Sequence, residues 1–266
     1  MDVRDSVVVV TGGASGIGAA LARRFHADGA RAVVVVDRNL GAAEAVAREV
    51  GGVAEQVDVA DAGEVEALVR RTTEREGRID VFCSNAGITT GVELDDPDDL
   101  WHRAFDVNLM AHMYAARAVV PGMLERGRGY LVNTASAAGL LISPGDAPYT
   151  ATKHAAVGFA EYLAVMYGDR GIGVSVVCPL GVSTPLLMDP LAAGDPGAEA
   201  VAASGTIITP EVVADAVLAA VAEDRFLVLP HPEVGTFWAQ KATDPERWLR
   251  GMRRMVAKEH QREEQQ

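Results

Sequence analysis

Four consecutive valines, residues 7–10, run directly into Thr11-Gly12-Gly13-Ala14-Ser15-Gly16-Ile17-Gly18. An apolar run with no polar alternation reads as a strand buried on both faces, as in a parallel sheet. Beyond the glycines, Ala19, Ala20, Leu21, Ala22, Phe25 and His26 continue at helical spacing. The glycines therefore sit where a first strand turns into a first helix. Without a Cβ, that turn can be sharp and a pyrophosphate can come close. The unpaired N–H groups at the helix start then favour its charge. Gly12, Ser15, Gly16, Ile17 and Gly18 are the candidate dinucleotide contacts. An ordinary strand-to-helix turn can carry the same glycines, so the assignment depends on the rest of the chain.

From there the chain keeps up an alternation almost to its end. Strand-like runs fall at residues 31–36, 53–57, 79–83, 130–134, 173–178 and 226–229. Helical patterns fill the intervals, at 40–50, 61–76, 98–126, 148–168 and 210–223, with Asp61 placed to cap the second of these. Alternation of this kind predicts an α/β fold. It is a doubly wound, seven-stranded parallel sheet with helices on both faces, joined by right-handed crossovers. The 266 residues suit one large domain, expected to occupy residues 1–230, with a helical extension of the same domain over 231–266. In that tail Trp248, Leu249, Met252, Met255 and Val256 recur at helical spacing. Residues 186–206 break the rhythm. Rich in Ala, Gly and Pro, and following a strand's carboxyl end, they read as a structureless insertion that serves as a substrate lid.

Composition excludes several functions. A net charge of −13 argues against nucleic acid and anionic membranes as partners. No apolar run approaches the ~20 residues of a membrane span, and the charged N-terminus does not read as a signal peptide. Cys83 and Cys178 lie in strand-like runs and read as buried thiols of a reducing cytoplasm. The six histidines are scattered and form no metal-ligand cluster.

The chemistry-bearing residues cluster at strand ends. Asp37 ends the second strand, where a carboxylate accepts from both ribose hydroxyls and repels a 2′-phosphate. That favours NAD, although the adjacent Arg38 is a residue that pairs with phosphates. Asp58 and Val59, after the third strand, are placed to bracket an adenine, with a loop cap the plainer reading of Asp58. Asn85-Ala86-Gly87 ends the fourth strand, which lies beside the first in a 3-2-1-4 order and faces the glycine turn. Tyr149 and Lys153, at i and i+4, share one helix face. A tyrosine, whose pKa is normally ~10, becomes a usable base when an ammonium stabilises its phenolate. Lys153 can also donate to a nicotinamide ribose. Ser136, thirteen positions before Tyr149, can hold a substrate oxygen while the tyrosine exchanges its proton. Asn108 is an amide among apolar residues, suited to hold a proton-relaying water near Lys153.

In these combined motifs the chain resembles the short-chain dehydrogenase/reductase family, over residues 7–229. Thr11-Gly12-x-x-x-Gly16-Ile17-Gly18 resembles the family's cofactor loop and Asn85-Ala86-Gly87 its strand-four motif, with Ser84 where an asparagine is frequent. The resemblance implies that Asn108, Ser136, Tyr149 and Lys153 form a catalytic tetrad. It also implies that Pro179, Val182 and Thr184 hold the cofactor's carboxamide. Where the family usually has Pro-Gly, this chain has Pro179-Leu180-Gly181, which adds bulk beside the nicotinamide. A homotetramer in which two long helices pair is likewise implied.

The expected reaction is reversible, NAD-dependent interconversion of a secondary alcohol and its ketone. Expected pocket walls are Ile88 and Thr89, then Leu140, Leu141 and Ile142, then Leu186, Leu187 and Met188. These are apolar and point to an uncharged, fairly hydrophobic substrate. His112 and His231 could add polar specificity, with surface or supporting positions the plainer reading. Three rivals remain: a non-catalytic NAD-binding sensor or scaffold, an NADP-dependent ketone reductase, and a lyase or epimerase of related fold. The last usually needs more than the short tail beyond strand seven here.

Overall fold

The computed structural model describes residues 1–91, 94 and 96–263, the last six of these as backbone only. Seven parallel strands form one sheet in the order β3-β2-β1-β4-β5-β6-β7. They are β1 (Val7–Thr11), β2 (Ala32–Asp37), β3 (Val53–Gln56), β4 (Val81–Ser84), β5 (Gly129–Thr134), β6 (Ile172–Val177) and β7 (Leu227–Val228). The valine runs of β1 and β2 divide by parity. Val8, Val10, Val33 and Val35 face one core, while Val9, Val34 and Val36 face the other. That is why these strands show no polar alternation: successive side chains point to opposite faces, and both faces are covered.

The first core is closed by α1 (Gly16–Ala27), α2 (Leu40–Glu49) and α9 (Pro210–Glu223). The second is closed by α3 (Ala62–Glu76), α5 (Ala111–Arg126) and α6 (Ala147–Tyr167). Asp61 caps α3 as expected, accepting from the N–H groups of Gly63 and Glu64. The two cysteines are free and buried.

Two features differ from the sequence reading, and a third, the helical C-terminal extension, gains detail. The long helix expected over 98–126 is α4 (Asp98–Phe105), a π-helical turn at Asp106–Met110, then α5. A π turn inserts a residue without breaking the helix, so the apolar spacing hides it. The stretch 186–206 is not structureless. It holds α7 (Pro185–Ala192) and α8 (Pro196–Ser204), each begun by a proline in its first turn. The C-terminal extension is two helices, α10 (Pro232–Thr243) and α11 (Pro245–Glu263), with Val234, Phe237 and Trp248 packed on the second core. The last residues of the amphipathic tail, 264–266, lie outside the described residues. No helix among the described residues is long and apolar enough to cross a membrane.

Candidate active site

The carboxyl ends of β1, β2, β4, β5 and β6 open into one cavity of about 1040 Å³. At its β1 end, Gly12 and Gly16 take φ angles of 63° and 49°, in the left-handed region that other residues resist. A Cβ on Gly18 would overlap the Gly12 carbonyl oxygen, so only glycine lets α1 start this close to the turn. Helices α2 and α3 are capped by Asn39 and Asp61, whereas Ser15, the N-cap of α1, makes no side-chain cap bond. Ser15, Gly16 and Ile17 line the cavity, so uncapped backbone donors sit beside it.

Thr11 ties this turn to its neighbour. Its hydroxyl accepts from the Asn85 and Ala86 N–H groups and donates to the Cys83 carbonyl. The Asn85 side chain donates to the Thr11 carbonyl and accepts from the Thr134 hydroxyl. Asn85, Ala86 and Gly87 thus face the glycine turn, as the strand order requires.

Asp37 and Arg38 line the cavity at the β2 end. The Asp37 carboxylate accepts from the N–H groups of Ala14 and Asn39, at 3.2 and 3.0 Å. Asp58 and Val59 line it further along. Asp58 is a loop cap, accepting from the Ala60 N–H, and it also pairs with Arg103 at 3.2 Å. Burial works to raise the Asp58 carboxyl. The Ala60 N–H and the Arg103 guanidinium outweigh it and hold the group below the ordinary carboxylate range. Arg103, on α4, was not singled out from sequence because charged residues are common on helix faces.

Ser136, Tyr149 and Lys153 line the middle of the cavity. Ser136 caps the 3-10 turn Ala137–Gly139, its hydroxyl accepting from the Ala138 N–H at 3.1 Å. Tyr149 lies in the first turn of α6, and the Lys153 ammonium is 5.5 Å from its ring centroid. Lys153 is 3% exposed and donates to the Thr134 carbonyl at 3.1 Å. Burial pulls its pKa down to about 8. The expectation that this ammonium draws the phenol's pKa down is not met. Burial raises the Tyr149 phenol, the nearby Ser136 hydroxyl counteracts this in part, and the Asp146 carboxylate and Cys178 add to the rise. The ammonium lies 5.5 Å from the ring centroid and gives a hydrogen to the Thr134 carbonyl, with no hydrogen bond to the phenol among the described residues.

Asn108 does not line the cavity. It sits fully buried in the π turn and clamps Ile88, accepting from its N–H and donating to its carbonyl, both at 2.9 Å. Its amide also donates to the Thr152 hydroxyl at 3.3 Å. A Cβ on Gly87 would come within 3.3 Å of both Asn108 Oδ1 and Lys153 Nζ, which shows how closely these groups converge.

Asp146 is a second side chain the sequence reading missed, although an acid just ahead of Ala-Pro is a helix-start signal. It is 6% exposed and caps α6 by accepting from the Tyr149 N–H. The same carboxylate accepts from the Thr90 N–H, the Thr90 hydroxyl and the Gly91 N–H, at 2.7, 2.6 and 3.1 Å. It pins the β4 loop to the start of α6, three residues before Tyr149.

Pro179, Val182 and Thr184 line the cavity after β6, with Leu180 between them. Thr184 meets the glycine turn: a Cβ on Gly16 would lie 2.9 Å from its Cγ2. Neither His112 nor His231 is on the surface or in the cavity wall; both are fully buried. His112 bonds Asn133, and burial pushes it down to about 4. His231 accepts from the Leu180 N–H and meets the Gly181 and Thr206 carbonyls, all at 3.1 Å.

The apolar end is walled by Leu141, Ile142, Leu180, Leu186, Leu187, Val201 and, from α11, Val256. Two expected wall residues are corrected. Leu140 is buried behind the wall, and Met188, 38% exposed, lies on a face of α7 outside it. In each apolar triplet two adjacent side chains line the cavity and one end residue points away from it.

The short chain dehydrogenase family model matches residues 6–193. The 1-deoxy-11-beta-hydroxypentalenate dehydrogenase of Streptomyces avermitilis is 37% identical over 257 residues, covering 94% of this chain and 93% of that protein. The 3beta-hydroxysteroid dehydrogenase 2 of Eggerthella lenta is 38% identical, covering 66% of this chain and 70% of the relative. A solved short-chain dehydrogenase/reductase from Burkholderia phymatum, in complex with NAD, superposes with a TM-score of 0.85 at 28% identity, covering 92% of this chain and 96% of that one. By the span of that match and the length of these likenesses, the chain belongs to the short-chain dehydrogenase family.

Proposed function

We propose that the protein is an NAD-dependent dehydrogenase that interconverts an uncharged, largely apolar secondary alcohol and its ketone. The observation that carries this is a single cavity wall. It brings Ser136, Tyr149 and Lys153 together with a glycine turn, an uncapped helix start and the Asp37 carboxylate. The residues fit a nicotinamide dinucleotide. The open N–H groups at Ser15–Ile17 suit a pyrophosphate, with Gly12 and Gly18 shaping the turn. Asp37 would accept from ribose hydroxyls, and Asp58 and Val59 would flank the adenine. Asn85, Ala86 and Gly87 would back the cofactor, and Pro179, Val182 and Thr184 would meet its carboxamide.

When bound, the cofactor supplies a hydride acceptor or donor. This chain's residues supply placement and proton handling. The Ser136 hydroxyl orients the substrate oxygen, and Tyr149 takes its proton in oxidation or returns it in reduction. With its phenol raised by burial, Tyr149 is protonated at neutral pH and ready to donate to a ketone. Lys153 would hold the nicotinamide ribose. Both amide hydrogens of Asn108 are committed to Ile88 and Thr152, so a relaying water would take the remaining Oδ1 lone pair. Helices α7 and α8 act as the substrate lid.

The substrate class is set by the wall. The only cations lining the cavity among the described residues are Arg38 and Arg103, towards the β2 and β3 ends, and Lys153. Among the described residues, nothing at the apolar end would neutralise a carboxylate or phosphate. The relative named for a hydroxysteroid agrees with a bulky, apolar hydroxyl substrate; the one named for hydroxypentalenate, a carboxylate, agrees with the hydroxyl chemistry alone. Exposed Tyr162, Val165 and Met166 on α6 support a homotetramer paired through α5 and α6, and two free buried thiols suit the cytoplasm.

Arg38 supports a second reading, an NADP-dependent ketone reductase, because it lines the same cavity. Initial rates over a panel of secondary alcohols, with NAD and NADP in parallel, decide among these. Faster NADH formation on apolar alcohols, with preference moving towards NADP in Asp37→Ala, supports the proposal. Cofactor binding without turnover of any alcohol or ketone would favour a sensor. An unchanged preference in Asp37→Ala would remove Asp37 from the account.

A further inference from the structure

Lys241, near the end of α10, reaches the catalytic region from the C-terminal extension. Its ammonium donates to the Leu140 carbonyl at 2.8 Å and the Leu141 carbonyl at 3.1 Å, and lies 3.3 Å from His154 Nε2. The His154 Nδ1 lies 2.9 Å from the Thr150 carbonyl, which can only accept. Nδ1 therefore carries the ring proton, and Nε2 presents the lone pair that Lys241 meets. Three ammonium hydrogens thus find three acceptors. The same Nζ lies 5.1 Å from the Trp248 ring centroid on α11, so both C-terminal helices converge on it. Burial lowers the Lys241 pKa, the mark of a cation drawn partly out of water.

Those acceptors support the catalytic groups from two sides. Leu140 and Leu141 close the short turn that Ser136 opens, their N–H groups both bonded to the Ala137 carbonyl. A cation at the carbonyl end of a helical turn is at its favourable pole. His154 comes directly after Lys153 on α6, the helix that also carries Tyr149. One side chain therefore bonds both the turn holding the serine hydroxyl and the helix holding the phenol.

We infer that Lys241 is a positioning residue of the active site, fixing the Ser136 turn against the Tyr149–Lys153 helix from the C-terminal extension. This rests on the dehydrogenase reading. An anchor that merely held α10 down would change folding and leave the chemistry of the folded enzyme alone. A positioning residue changes kcat in molecules that still fold and still bind cofactor, because small misplacements of reacting groups are costly.

The test uses the full-length chain. Lys241→Met keeps the stem and removes all three donors, while Lys241→Arg keeps charge and donors. Expected for Lys241→Met is a fall in kcat of about tenfold or more on a secondary alcohol. Its NAD dissociation constant should stay within about twofold, and amide exchange should quicken at residues 138–141. Lys241→Arg should recover part of the lost kcat. A kcat for Lys241→Met within about twofold of the parent overturns the inference, as does a loss that only tracks weaker NAD binding or a smaller folded fraction. Should Lys241→Met fail to fold, His154→Phe removes one acceptor and leaves the carbonyl bonds in place. A drop of about two- to fivefold in its kcat at unchanged NAD affinity supports the inference, and an unchanged kcat overturns it. If the parent enzyme turns over no alcohol or ketone, the dehydrogenase reading falls on its own, and exchange at 138–141 in the variants alone judges the clasp.

Discussion

In the proposed mechanism Lys153 serves the chemistry at a cost to the fold, and the size of that conflict can be worked out. The ammonium is 3% exposed and burial lowers its pKa from 10.5 to about 8. Its folded pKa lies below its unfolded one, so between those values the unfolded chain binds more protons and stability rises with pH. Below about pH 8 the whole penalty is present. The gap between 10.5 and about 8 is worth roughly 3 kcal/mol. Lys153→Met keeps the stem and removes the charge. It also leaves the Thr134 carbonyl without its donor, a loss of about 1 kcal/mol. The variant should therefore be about 2 kcal/mol more stable than the parent at pH 7, roughly 4–8 °C in Tm, while losing alcohol turnover. Urea unfolding of both proteins at pH 7 and pH 10 reads this directly. The advantage should shrink or reverse at pH 10. A variant less stable at pH 7, or a difference that does not change with pH, would refute the reasoning.

The same site yields two further outcomes. Burial raises the Tyr149 phenol, the Ser136 hydroxyl opposes it, and the charge of Asp146 adds to the rise together with Cys178. Asp146→Asn removes that negative charge, so the acid limb of kcat/KM for alcohol oxidation should move to lower pH. A stationary limb, or one that moves up, contradicts it. Gly18→Ala would press a methyl into the Gly12 carbonyl and to 2.7 Å from Asn85 Nδ2. Overpacking of that kind costs about 1–3 kcal/mol, so titration calorimetry should show NAD bound at least about fivefold more weakly, and an unchanged affinity would show the close approach to be unimportant.

Local chemistry was legible in the sequence, and distance was not. Gly12, Gly16 and Gly18 announce their turn because only glycine tolerates those angles and contacts. Asp37 and Ser136 were placed by lying one or two residues past an apolar run. Tyr149 and Lys153 were paired by helical spacing alone, but spacing says nothing of where an ammonium's hydrogens go. Lys153 gives one to Thr134, and the expected effect on the phenol is absent. The π turn around Asn108 left no trace, because one extra residue in a continuous apolar pattern changes no residue type. Pro185 and Pro196, with Thr184 and Asp195 before them, could have marked α7 and α8 as helices. The high Ala and Gly content concealed that signal. His231 and Lys241 lie tens of residues from the backbone groups they bond, so nothing local could have linked them to the site.

The central claim is that the Tyr149 phenol exchanges the substrate's proton beside the cofactor. Single-turnover reduction of a ketone by preloaded NADH, compared in the parent and Tyr149→Phe with cofactor affinity measured on the same samples, tests it most directly. The account predicts that Tyr149→Phe binds NADH as the parent does and loses at least about a hundredfold in the rate of ketone reduction. A variant that reduces the ketone at the parental rate would contradict it.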